Sequence, residues 1–251
     1  MSNYDSMQLF LNSKFADKQL DATGTNLIFN FDYISVPDGH YIHLSVINAI
    51  IPWSFYSIND NNNQITITTT TLAPPQGTYI IGNGNYNAIQ LAAYLTVLIP
   101  TITVTYNTIN NKFTFTSSTI DFTIDNEFST CQELIGMSTQ TNENTSFGRV
   151  WLSPNPINLS SIRTITVRSN YNTGNINFGE NSFFCDLCSI AVTAAPNGLI
   201  IYNNPNNYSS NLYISEINNI SIKLIDQNGF PINLNKQYFN MILQIDVLRF
   251  T

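Results

Sequence analysis

The sequence predicts a mainly β fold, on three observations. Apolar and polar residues alternate over short segments: Phe29, Phe31 and Tyr33 with Asn30 and Asp32, and Ile42, Leu44 and Val46 with His43 and Ser45. A two-residue period with one apolar face marks half-buried strands. The segments are separated by turn formers such as Pro37-Asp38-Gly39, Asn107–Asn111, Pro196-Asn197-Gly198 and Asp226–Gly229, where Gly supplies positive φ and Asn or Asp bonds the local backbone. The alternation also runs the length of the chain, recurring at Ile65–Ile67, Ile102–Tyr106, Ile165–Val167, Ile220–Leu224 and Met241–Val247.

In chain order, residues 1–25 read as an N-terminal arm. Leu9-Phe10-Leu11-Asn12-Ser13 has the make-up of a short strand, and Lys14–Asn26 mixes charge, small residues and one Gly; such a terminus is ordered only when something ties it down, and a neighbouring copy is the expected tie. Residues 26–73 carry the alternation onward to Ile65 and Ile67. Ala73-Pro74-Pro75-Gln76-Gly77 then leads into a different pattern. Over Asn87–Ile99, Ala88, Leu91, Leu95 and Leu98 share one face of a helix. Asn87 and Gln90 form a capping box and Pro100 stops the helix. Strands follow at Ile102–Tyr106, Lys112–Phe115 and Asp121–Ile124. A second short helix is expected at Ser129–Ile135, with Ser129 as cap and Gly136 as terminator. The polar run Ser138–Pro156 leads out, and pure β pattern resumes at Ile165–Val167, Ile220–Leu224 and Met241–Val247. The reading is therefore an arm (1–25), a β-domain in two parts (26–73 and 150–251), and an inserted α+β domain with its exit loop (74–149).

Composition excludes several functions. Only 10% of residues are charged, against about 25% in an average soluble domain, yet 43% are hydrophobic, too many for intrinsic disorder. The net charge is −7, with nine cationic residues, so the cationic footprint of a nucleic-acid binder is missing. The most apolar stretches, Ile47–Ile58 and Ala88–Pro100, fall short of the roughly 18 residues a membrane span needs. Three cysteines make a disulfide framework improbable, and a reducing compartment is expected. Weak ionic repulsion at an Asn-rich surface favours dense packing against other subunits.

Chemistry-bearing patterns resolve to structural readings. Gly82–Asn87 resembles a phosphate-binding loop but lacks the third Gly and the later acidic residue. Cys185 and Cys188 have zinc-like spacing without a second pair, and read as buried small residues. For His40 and His43 the sequence locates no convergent carboxylate, and both read as structural or surface histidines. Asp121/Asp125 and Asp226/Asp246 have no accompanying sugar-subsite pattern. The Asn-X-Ser/Thr triplets at Asn144, Asn158, Asn207 and Asn219 are expected in so Asn-rich a chain. No catalytic, cofactor-binding or metal-binding residue is assigned, and the sequence reads as non-enzymatic.

The order of segments carries a resemblance. Phe10-Leu11-Asn12-Ser13, Tyr41–Leu44 and the run Ala49-Ile50-Ile51-Pro52-Trp53-Ser54-Phe55-Tyr56-Ser57-Ile58 open it. Gly84–Asn87 at a helix start, Glu133-Leu134-Ile135-Gly136, Val167-Arg168-Ser169-Asn170-Tyr171, Ile220–Asp226 with Asn228-Gly229, and the strand Phe239–Val247 continue it. Together they resemble the penton, or minor capsid, proteins of virophages, Polinton-like viruses and related large double-stranded DNA viruses. The resemblance implies a single jelly-roll sandwich with a small inserted domain. It also implies a homopentamer at a capsid vertex, with the major capsid protein and other capsid subunits as partners, no cofactor, and a place in the virion. A jelly-roll glycan- or receptor-binding module is the alternative, for which exposed aromatics clustered on one face would be the sign.

Overall fold

The computed structural model describes all residues except 1–5, 71–75, 139–147, 161, 172–174, 178–181, 185, 206 and 251, with 175–177 and 182–184 described by backbone alone. The chain forms two compact units, Met1–Phe55 with Ile162–Thr251, and Tyr56–Ser161. The first unit opens with β1 (Ser6–Asn12), β2 (Lys18–Gln19), β3 (Asn26–Ser35) and β4 (His40–Pro52). The second holds β5 (Gln64–Thr69), β6 (Gln76–Ile80), α1 (Ala88–Leu98), β7 (Ile102–Asn107), β8 (Lys112–Ser117), β9 (Phe122–Asp125) and β10 (Val150–Leu152). The first unit resumes with β11 (Thr164–Arg168), β12 (Asn175–Asn177), β13 (Ser182–Phe184) and β14 (Asp186–Ala191). It ends with β15 (Leu199–Asn203), β16 (Ser210–Leu212), β17 (Glu216–Ile225) and β18 (Asn240–Arg249).

The first unit is a jelly roll. One sheet runs β1-β18-β4-β15, with β16 also on β4, and the other runs β14-β11-β17-β3-β2. All these pairings are antiparallel. That is Greek-key order, with strands distant in sequence placed side by side. The inward faces supply one core, including Leu27 and Phe29 (β3), Ile42 and Leu44 (β4), Ile220 and Ile222 (β17), and Leu243 and Ile245 (β18). A bulge keeps β4 in phase with it. Leu243 faces Val46 but Ile242 faces Asn48, leaving Ile47 unmatched. The inward parity thereby shifts from Ile42, Leu44 and Val46 to Ala49 and Ile51, all buried. Without the extra residue one of these runs would face water.

The N-terminal segment is part of this sandwich, which corrects its reading as an arm. Strand β1 pairs with β18 of the same chain over seven residues, from Ser6↔Asp246 to Asn12↔Asn240. Ser13 extends the tie: its N–H donates to Phe239 O at 3.0 Å and its hydroxyl accepts from Phe239 N at 2.9 Å. Farther on, β2 closes the edge of β3. From Ser6 to Gln19 the described residues are tied to strands of their own chain.

The second unit is wider than the expected 74–149. β5 pairs with β6 and β9, and β10 pairs with β8, so 56–73 and 150–161 belong to it. Ile58, Ile65, Ile67 and Trp151 accordingly bury in its core with Phe113, Phe115 and Leu95. Helix α1 forms where expected, with both halves of the capping box made: Gln90 N donates to Asn87 Oδ1 at 2.9 Å and Asn87 N to Gln90 Oε1 at 3.0 Å. It packs against β7, and Thr96 Oγ1 accepts from Val104 N at 2.9 Å. The expected helix at Ser129–Ile135 shrinks to a 3-10 turn, Glu133–Ile135, ended by Gly136 at φ +78°. Ser129 is not its cap. Its hydroxyl accepts from Thr66 N at 2.9 Å and donates to Asp125 O at 2.5 Å, holding a turn against β5.

Candidate functional site

In the jelly-roll unit, the outward face of the β1-β18-β4-β15 sheet is set by strand parity. Register aligns Ser6, Asp246, His43 and Asn211 in one row across it, and Gln8, Gln244 and Ser45 in the next. A polar belt follows. Ser6 Oγ donates to Asp246 Oδ1 at 2.7 Å, as does Gln244 Nε2 at 2.7 Å. Asp246 Oδ2 lies 3.7 Å from His43 Nδ1, and His43 Nε2 is 2.5 Å from Ser209 Oγ.

Ser209, His43 and Asp246 thus stand in the order of a nucleophile, a base and an orienting acid, a convergence that nothing in their sequence spacing signals. The arrangement does not meet the demands of acyl transfer. At 3.7 Å Asp246 is beyond hydrogen-bonding range of the ring nitrogen it would have to orient, and its other oxygen is engaged by Ser6 and Gln244. The belt's evident work is to tie β1, β18, β4 and the lead-in to β16 across one face.

On either side of the belt the outward face carries large apolar side chains, interleaved toward Pro52 with Asn12, Asn48, Asn203 and Asn240. Phe10, Ile242, Ile50, Ile201 and Leu199 lie toward the strand ends near Pro52. Beyond His43 lie Leu248 and a trio of rings: Tyr41 and Phe250 stack at 5.3 Å, Tyr213 and Phe250 at 5.9 Å, and Tyr41 and Tyr213 meet at 5.8 Å. Between β1 and β3 a cleft of about 260 Å³ is lined by Leu9, Leu11, Phe15, Phe29 and Phe31 among others.

No protein-family model matches the sequence, and no curated protein matches it. Solved structures do. The mavirus penton protein superposes with a TM-score of 0.51 at 11% identity, covering 98% of this chain and 100% of that one. The Sputnik virophage structure gives 0.45 at 12% identity, covering 98% of each chain. The chain has the penton fold.

Within the penton fold the remaining candidate residues have local structural roles. Gly82 N–H donates to the Tyr94 hydroxyl at 3.2 Å and Gly82 O accepts from Tyr86 at 3.0 Å, so the phosphate-loop lookalike is closed on its own side chains. Asp121 pairs with Arg149 at 3.5 Å, while Asp125 and Asp226 accept backbone N–H groups of their own turns. His40 Nδ1 lies 3.1 Å from Asp38 O, and strand parity sends His40 and His43 to opposite faces. Cys185 and Asn144 lie outside the described residues. Cys131 is fully buried, which pushes its thiol up to about 12. Burial also pushes Cys188 up to about 12, against the opposing effect of its hydrogen bond with Tyr202 on the facing sheet. Thiols held protonated in this way are poor nucleophiles and poor metal ligands.

Proposed function

We propose that this protein is a structural subunit of a viral capsid, the penton that closes an icosahedral shell at its vertices as a homopentamer. The observation that carries the reading is the penton fold matched from end to end, both units included, with the mavirus penton protein. Composition supports it: a chain with 10% charged residues and 37 asparagines can pack against neighbours without desolvating many ions. On this reading the chain resides in the virion, its partners are further copies of itself, the major capsid protein and other capsid subunits, and it needs no cofactor and performs no catalysis.

The glycan- or receptor-binding alternative gains an exposed aromatic cluster, Tyr41, Tyr213 and Phe250. Each ring packs against the other two, while Tyr213 stays 70% and Phe250 50% exposed, so the cluster is the sign expected of that alternative.

Negative-stain imaging and sedimentation of the purified protein test the proposal. Five-fold rings, and incorporation into particles formed with the major capsid protein, are expected. A chain that stays monomeric at high concentration, is excluded from particles and binds a defined glycan would overturn it in favour of the alternative.

A further inference from the structure

The two outward faces of the sandwich differ in kind. Outward strand positions of the β14-β11-β17-β3 sheet carry Asp32, Arg168, Asp186 and Lys223, with Arg168 and Asp186 paired at 2.6 Å. Outward positions of the β1-β18-β4-β15 sheet carry one carboxylate, Asp246, and no Lys or Arg. That carboxylate is hydrogen-bonded by Ser6 and Gln244 and faces His43. The same face leaves large apolar side chains in water: Phe10 at 73% exposure, Tyr213 at 70%, Ile201 at 59%, Leu199 at 58% and Phe250 at 50%.

We infer that the outward face of the β1-β18-β4-β15 sheet is the surface through which one copy of this chain seats against a second copy. The inference rests on the capsid-subunit reading and names the surface it uses. Charge selects the occupant. A chain of net charge −7 repels its own copies wherever both carry acid, and a face nearly free of charge is where two copies can meet without that cost. A nucleic acid would need cations here, and a basic partner would need acids. Apolar area contributes. On a scale of about 200 Å² for a fully exposed large side chain, the five named residues offer roughly 600 Å² of apolar surface in two clusters over the whole face. In a ring this is shared between a copy's two neighbours, so each contact draws about half of it toward the about 800 Å² per partner that a specific interface buries. The polar belt between the clusters supplies hydrogen bonds, as the wetter part of an interface does. Phe10 lies on one edge strand of the sheet and Leu199 and Ile201 on the opposite one, so a head-to-tail contact joins unlike edges, as ring closure requires.

Sedimentation velocity on four proteins tests this: wild type, Ile201→Glu, Phe10→Ser, and Thr166→Glu on the opposite sheet as control, each checked for a cooperative melt. Wild type and Thr166→Glu are expected to associate alike, while Ile201→Glu and Phe10→Ser need at least tenfold more protein to reach half-association. If a face variant fails to fold, hydrogen exchange on the wild type replaces it. Amides of 6–12 and 199–203 should then slow with rising concentration while those of 186–191 do not. Oligomers that survive both face substitutions, or that Thr166→Glu alone dissolves, overturn the surface assignment and leave the capsid reading standing. A wild type that never associates removes both.

Discussion

The hydroxyl of Ser6 donates to Asp246 Oδ1 at 2.7 Å, joining residues 240 positions apart in the chain. The contact sits on the first row of a seven-residue pairing that makes β1 an edge strand of the jelly roll. Removing residues 1–13 should therefore destabilise the sandwich itself. Loss of buried Leu11, at about 1.5–3 kcal/mol, and of half-buried Leu9, at about half that, corresponds to a fall of the order of 10 °C in the melting temperature of that unit. Calorimetry of the truncated and full chains measures it, and an unchanged transition would show that β1 contributes nothing to the fold.

The second unit should fold when cut at its own boundaries and not at narrower ones. A fragment spanning 56–161 retains β5 and β10 and with them Ile65, Ile67 and Trp151 of its core. A fragment spanning 74–149 lacks both strands, leaving β6, β9 and β8 short of partners. Far-UV circular dichroism with urea should give a sigmoidal transition for the first and a featureless slope for the second.

Gly136 stands at φ +78°, and a Cβ built there would lie 2.2 Å from Asn155 O. Gly136→Ala combines left-handed strain with overpacking against backbone, for an expected loss of about 2–4 kcal/mol. Asn87→Ala, which removes one half of the capping box, should cost only about 1 kcal/mol. Denaturant midpoints of the 56–161 fragment rank the two, and equal losses would contradict the close approach.

Cys131 and Cys188 should resist thiol reagents at pH 8 in the native protein and react once it is unfolded, because burial pushes both up to about 12. Peptide mapping after brief alkylation reads this directly. The same shifts set a pH dependence. Between the ordinary thiol range and 12 the folded chain holds protons that the unfolded chain has released, so stability is full below about pH 9 and falls as pH rises toward 12. A rise in stability over that window would contradict the burial of these thiols.

Local chemistry made parts of the structure legible in the sequence. The α1 cap could be read because Asn87 and Gln90 are three residues apart and act on each other. The strands announced themselves by alternation. What alternation cannot supply is a partner: Gln64–Thr69 reads as a strand in any sheet, and only its pairing with β6 and β9 moves it into the second unit. β1 is legible as a strand at Leu9–Ser13, but its partner is not: β18 lies more than 200 residues away, whereas the expected tie is a neighbouring copy. The belt of Ser209, His43 and Asp246 leaves no sequence trace, since strand register alone brings together residues so widely separated.

Placing β18 between β1 and β4 also imposes an order on biosynthesis. β1 leaves the ribosome well before β18, the strand it must pair with, which follows about 12–50 s later at translation rates of about 5–20 residues per second. The contiguous segment 56–161 can mature during that wait, whereas the sandwich has no middle strand to close around. The outward face of that sheet therefore comes into being only once β18 has been made, and nascent chains crowded on one message cannot engage one another through it before then.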